Sequence, residues 1–228
     1  MSYTGSMEST PQTPMNGRKA QAARNDQTIL QAARAVFVAD PGAPVSAVAE
    51  RAGVGISALY RRYASKEILL RKLCSDGLKR YTAEAEAALA DEGDPWAVFA
   101  RFMRRIVDAD THSLTVNLAG TFAPDEELFR ESAYAMELTR RIFERAGDAG
   151  VLRPGLEVTD LSMILEQITA VHLGDEERTM ELRHRYLALA LDSLRLTSAE
   201  PLPGPPPAEE EIGRRWVTAR SSRTPASP

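Results

Sequence analysis

Residues 24–73 read RNDQTILQAARAVFVADPGAPVSAVAERAGVGISALYRRYASKEILLRKL, and this stretch decides the fold. Ile29, Ala32, Ala33, Val36 and Phe37 recur at the i, i+3, i+4, i+7, i+8 spacing of one helical face, which predicts a helix over about 25–39. Asp40-Pro41-Gly42 stops it. A second helix begins near Pro44 with Val45, Val48 and Ala49 inward, and Gly53 ends it by taking left-handed backbone that a Cβ resists. After the turn Ala52-Gly53-Val54-Gly55 comes a short helix, Ile56 to Tyr63, anchored inward by Leu59. Two helices joined this way form a helix–turn–helix, whose second member fits the DNA major groove. Ser65 then caps a fourth helix, which runs to about 90 through Ile68, Leu69, Leu73, Leu78 and Tyr81.

Working outward, the charge supports this reading once it is divided along the chain. The 228 residues carry a net charge of −4, yet between 18 and 72 ten basic residues face four acids, leaving −10 on the remainder. Phosphate attraction follows the local field, so a basic module joined to an acidic body is consistent with nucleic-acid binding. Cys74 is the only cysteine, which excludes an intrachain disulfide and fits a reducing, cytoplasmic setting. No apolar run reaches the roughly 20 residues that a membrane-spanning helix needs, so no membrane partner is expected.

The rest of the chain also reads as helices, and the fold class is all-α. Asp94-Pro95-Trp96 is an N-cap acid followed by proline at the first helical position, with Phe99, Phe102, Met103, Ile106 and Val107 continuing the apolar stripe. Further helices are expected near 112–120 (Leu114, Leu118), from Pro124-Asp125 to about Gly147, over 160–172, and from about Asp175 to Leu196. Residues 1–20, rich in Ser, Thr, Pro and Gln, and the tail 197–228 with its seven prolines are expected to be disordered.

The chain resembles the TetR family of transcriptional regulators. The residues that carry the likeness are Ala49-Glu50-Arg51-Ala52-Gly53-Val54-Gly55, Leu59-Tyr60-Arg61-Arg62-Tyr63 and Ser65-Lys66-Glu67. The resemblance implies an N-terminal three-helix DNA-binding domain (21–66) and a C-terminal helical ligand-binding and dimerisation domain (67–196). It implies a homodimeric repressor that grips a palindromic double-stranded operator and is released by a small-molecule effector. Ser46, Gly55, Ile56, Ser57, Ala58, Tyr60, Arg61, Arg62, Tyr63 and Lys66 would form the DNA-binding surface. Among them Ile56, Ser57 and Arg61 would meet base edges, and Tyr60, Arg62 and Lys66 would hold phosphates, as arginine reads guanine and lysine or tyrosine suits backbone oxygens. Pro44 stands where the family usually has a capping Thr, Gly55 where it has Ser, and Ser57-Ala58 where it has Gly-Thr.

For the effector the expected pocket residues are Phe99, Phe102, Met103, Leu114, Leu118, Phe122, Met136 and His172, although apolar residues at helical spacing also serve as plain core. For the dimer interface they are Leu165, Ile168, Leu182, Tyr186, Leu189 and Ala190, from two helices per subunit making a four-helix bundle. No cofactor, metal site or enzymatic activity is expected. His112, His172 and His184 are isolated in sequence without an H-x-x-x-H or cysteine pair. Gly53-Val54-Gly55-Ile56-Ser57-Ala58 fits a dinucleotide fingerprint but follows a helix rather than the strand that motif needs.

Overall fold

Gly53 adopts φ 65° and ψ 30°, the left-handed geometry that lets its own N–H return to Glu50 and the N–H of Val54 to Ala49. That turn sets α2 (Val45–Ala52) against α3 (Ile56–Arg62), and α1 packs across α2. Neither Pro44 nor Gly55, the caps of α2 and α3, offers a side-chain hydrogen bond. Tertiary burial holds the unit instead. Leu59 is completely buried with Phe37, Val48 and Leu69, which contributes about 1.5–3 kcal/mol and fixes the opposite face of α3 outward.

This computed structural model describes residues 15–195 and 200–217. After α1 (Met15–Ala39), α2 and α3 come α4 (Lys66–Ala90), α5 (Pro95–Asp108), α6 (Thr111–Leu118), α7 (Glu126–Asp148), α8 (Val158–Thr169), α9 (Glu176–Leu194) and α10 (Glu209–Val217). Several starts lie where the sequence marks them. Ser65, Asp94, Asp125 and Asp175 each accept a backbone N–H of the first turn, from Ile68, Ala97, Leu128 and Arg178. Among the described residues there is no β-strand, only an isolated antiparallel bridge between Leu152 and Arg195. The fold is all-α.

Two expectations at the ends of the chain need correction. The first helix starts at Met15 rather than near 25, because Arg18-Lys19-Ala20-Gln21-Ala22-Ala23 is a run of good helix formers that extends it backward. The proline-rich tail is not uniformly irregular, since Glu209–Val217 is helical and lies against the body. Residues 1–14, 197–199 and 218–228 of those expected segments lie outside the described residues, as does 196 at the end of the last expected body helix.

The interior has two parts. One gathers α1–α3 with Leu69, Leu70, Leu73 and Cys74 of α4, Leu114 and Leu118 of α6, Phe122 and Leu128. The other gathers α5, α7, α8 and α9 around Tyr81, Ala85 and Ala88 of the far half of α4. The fourth helix runs through both.

Candidate nucleic-acid interface and internal cavity

On the outer face of α3, Ser57, Ala58 and Arg61 are exposed, with Ile56 40% and Tyr60 47% accessible. Ser46 of α2 and the cap Gly55 are exposed beside them. The Arg61 guanidinium has no side-chain partner among the described residues. A short helix thus offers a hydroxyl, a phenol and a free cation together with an aliphatic contact, groups suited to base edges and phosphates.

Three expected contact residues turn out to be tied to the protein itself. Tyr63 is buried and donates its hydroxyl to Asp26 at 2.5 Å. Arg62 donates Nε to the same carboxylate at 2.9 Å, and that hydrogen bond holds Asp26 below its ordinary pKa. Lys66 points back under the module: its Nζ donates to the carbonyls of Pro41 (2.8 Å) and Ala43 (2.7 Å) and lies 4.9 Å from the centre of the Phe37 ring. Tyr63 is therefore no contact residue, Lys66 clamps the α1–α2 turn, and Arg62 is shared between α1 and the surface. Their partners lie 23 to 37 residues away, out of reach of a local motif.

Behind this module lies a cavity of about 180 Å³. Its walls come from α4 (Cys74, Gly77, Leu78, Tyr81), α6 (Thr111, His112, Leu114), α7 (Leu128, Phe129, Ala135, Met136), α8 (Leu161, Leu165, Glu166) and α10 (Ile212, Trp216). Of the expected pocket residues, Leu114 and Met136 line it. Phe99, Phe102 and Met103 are packed solid in the body core, Leu118 and Phe122 in the other cluster, and exposed His172 meets Arg183 at 3.1 Å. These six are not on the wall; for Phe99, Phe102 and Met103 the reason is that the apolar face of α5 packs into the body interior. Gly77 matters to the shape, as a Cβ there would come 2.9 Å from Leu114 Cδ1.

One wall comes from the tail. Arg215 makes a two-pronged ion pair with Glu166 (2.5 and 2.8 Å), Trp216 meets Phe122 edge-on at 6.0 Å, and Arg140 pairs with Glu209 at 2.5 Å. A signal for α10 exists in the sequence. Glu209-Glu210-Glu211 at its start and Arg214-Arg215 at its end complement the helix dipole, and the acids precede the arginines at i, i+4.

Burial keeps Cys74, Tyr81 and His112 of the wall uncharged. It pushes the Cys74 thiol and the Tyr81 phenol each up to about 12 and pulls His112 down to about 4. Tyr81 also shares a hydrogen bond of 2.8 Å with Thr139.

Between cavity and DNA module sits a polar clasp that the sequence reading missed. Asp110, in the α5–α6 turn at φ 47°, accepts Arg34 of α1 at 2.6 Å and Arg183 of α9 at 2.9 Å. Arg183 is buried, and its remaining donors reach the carbonyls of Thr169 (2.7 Å) and Val171 (3.2 Å). A charge among the apolar positions of a helix, here between Leu182 and Leu187, is the clue that would have pointed to it.

The expected dimer residues divide. Leu165, Ile168 and Leu182 are buried within the subunit, so they cannot form its outer face. Tyr186 (45% accessible) and Leu189 (59%) stand outside on α9, with Ala190 half-buried.

Comparison with known proteins agrees with this architecture. Residues 29–73 match the model of the bacterial regulatory proteins of the tetR family. No curated protein matches the chain in sequence. Among solved structures it is similar to a TetR transcription regulatory protein from Mycobacterium vanbaalenii, at 27% identity and a TM-score of 0.52, covering 78% of this chain and 99% of that one. It is similar to the regulator SCO0520 from Streptomyces coelicolor at 25% identity and 0.52, covering 75% and 99%. It also shares the fold of LfrR from Mycobacterium smegmatis, solved with proflavine, at 24% and 0.56, covering 74% and 96%. Residues 29–73 thus carry the helix–turn–helix of the tetR-family regulatory proteins, and the chain as a whole is similar to TetR-family transcriptional regulators.

Proposed function

We propose that the chain is a homodimeric repressor that binds a palindromic operator through α3 and lets go when a small molecule fills the cavity. The observation that carries this reading is the position of α4. Cys74 packs in the core beneath the helix–turn–helix and also lines the cavity, and Tyr81, two turns on, forms a wall. A ligand that prefers one setting of α4 therefore acts on the seat of the DNA module, and it shifts the equilibrium only by its difference in affinity for the two settings. LfrR, a neighbour in fold, was solved in complex with proflavine, which supports the assignment of the body to effector binding. The presence of a cavity also speaks against the alternative of a regulator with a filled body and no switch. Two copies would pair through the α9 face that bears Tyr186 and Leu189 and meet half-sites about one helical turn apart.

The decisive experiment selects duplexes from a random pool and titrates the winner at two salt concentrations. The expected winner is an inverted repeat whose affinity falls steeply with salt. Absence of any enriched sequence would sink the reading.

A further inference from the structure

The cavity wall is mostly hydrocarbon, contributed by Leu78, Leu114, Leu128, Ala135, Leu161 and Leu165. Of its uncommitted hydroxyls, the buried one lies at the start of α6. Thr111 is 6% accessible, lines the cavity, and its Oγ1 has no hydrogen-bond partner. His112 follows it, its ring 6.2 Å from that of Tyr81, with no hydrogen bond among the described residues. A buried hydroxyl left unpaired is costly, and native structures rarely keep one without a use. Of the other polar groups on the wall, Tyr81 is engaged with Thr139 and Glu166 with both prongs of Arg215, while Ser162 is half-buried and Ser132 exposed.

Charge and size narrow the occupant further. Glu166 and Arg215 neutralise each other, and burial keeps the imidazole uncharged, so a charged molecule would enter without a counter-ion. About 180 Å³ is below the roughly 300–1,000 Å³ of drug-sized pockets and suits one substituted ring.

We propose that the cavity takes a small, uncharged, mostly apolar molecule bearing one hydroxyl or carbonyl oxygen, and that Thr111 Oγ1 and the His112 imidazole hold that oxygen. Between them they supply donor and acceptor, so either kind of oxygen is matched. This rests on reading the cavity as the effector site, but it is tested apart from operator release.

The test is calorimetry on the full chain without DNA, using 4-ethylphenol, acetophenone, ethylbenzene, benzyltrimethylammonium and benzoate as probes. The phenol or the ketone should bind about tenfold tighter than ethylbenzene, and both charged probes more weakly than either. In Thr111→Val, which keeps the side-chain volume, the preference should shrink toward unity while ethylbenzene binds as before. His112→Phe should do the same. Equal binding of ethylbenzene in the wild type, a charged probe binding tightest, no probe binding, or a preference that survives both substitutions would each overturn the proposal. Operator release is read in a separate mobility assay. Probes that bind with the expected preference but leave the operator occupied uphold the proposal and defeat the effector reading instead.

Discussion

Single side chains in this protein have roles that their residue type alone does not announce. Arg61 and Lys66 are both cations beside the recognition helix, yet Arg61 projects free and Lys66 satisfies two carbonyls of a turn. Arg61→Ala should relax preference at one base step by about 1–3 kcal/mol in a binding series on variant duplexes. Lys66→Met should instead lower folding stability by about 1–3 kcal/mol in denaturant and leave the salt slope of DNA binding unchanged. A flattened salt slope in Lys66→Met would return that lysine to the phosphates. His112 makes a second residue-scale prediction. Burial pulls its pKa from 6.5 to about 4, so between those values the unfolded chain binds a proton that the folded chain refuses. Stability is then complete above pH 6.5 and declines as pH falls, by about 2 kcal/mol at pH 5. Urea unfolding at pH 7.5 and 5 should show that difference, and His112→Phe should flatten it.

At the scale of elements, the caps and turns were legible because they are local. Gly53, Ser65, Asp94, Asp125 and Asp175 announce their roles within four residues of sequence, and the structure places them where the pattern does. Links between elements were not legible. Asp110 meets Arg34 and Arg183 from 76 and 73 residues away, and no periodicity encodes that encounter. The same limit explains the pocket: the stripe of Phe99, Phe102 and Met103 says that α5 is buried, but not which neighbour it faces. Only the packing of α4, α6, α7 and α8 decides where a space remains. The tail helix was hidden behind its prolines, although its charges run with the dipole. The clasp gives a prediction of its own. Asp110→Asn keeps a residue that tolerates φ 47° and removes only the charge, leaving buried Arg183 without its carboxylate. The expected loss is about 3–5 kcal/mol in denaturant, with faster amide exchange in α1 than in α3. An unchanged midpoint would show that the clasp holds nothing together.

For the whole molecule, two regions of the surface carry the expectations. Leu189→Glu on α9 should leave the subunit folded and yield monomers in sedimentation, with operator affinity lost because one half-site alone is gripped. A dimer that survives this change would move the interface elsewhere. Removing residues 201–228 should keep the body helical and cost about 1–3 kcal/mol, since Glu166 loses its partner. The shortened chain should also gain affinity for benzyltrimethylammonium, measured by calorimetry, because the carboxylate then faces an open cavity.

The inner wall at Ile212 and Trp216 has a consequence for how such a regulator changes over generations. What the cavity admits is written twice along the chain, once in the body and once beyond the prolines of residues 201–207. Under the proposed effector reading, substitutions in the second passage alter which molecule is sensed without touching a residue of α1 to α3. New inputs can then be tried while the residues of α3 that would meet DNA stay fixed.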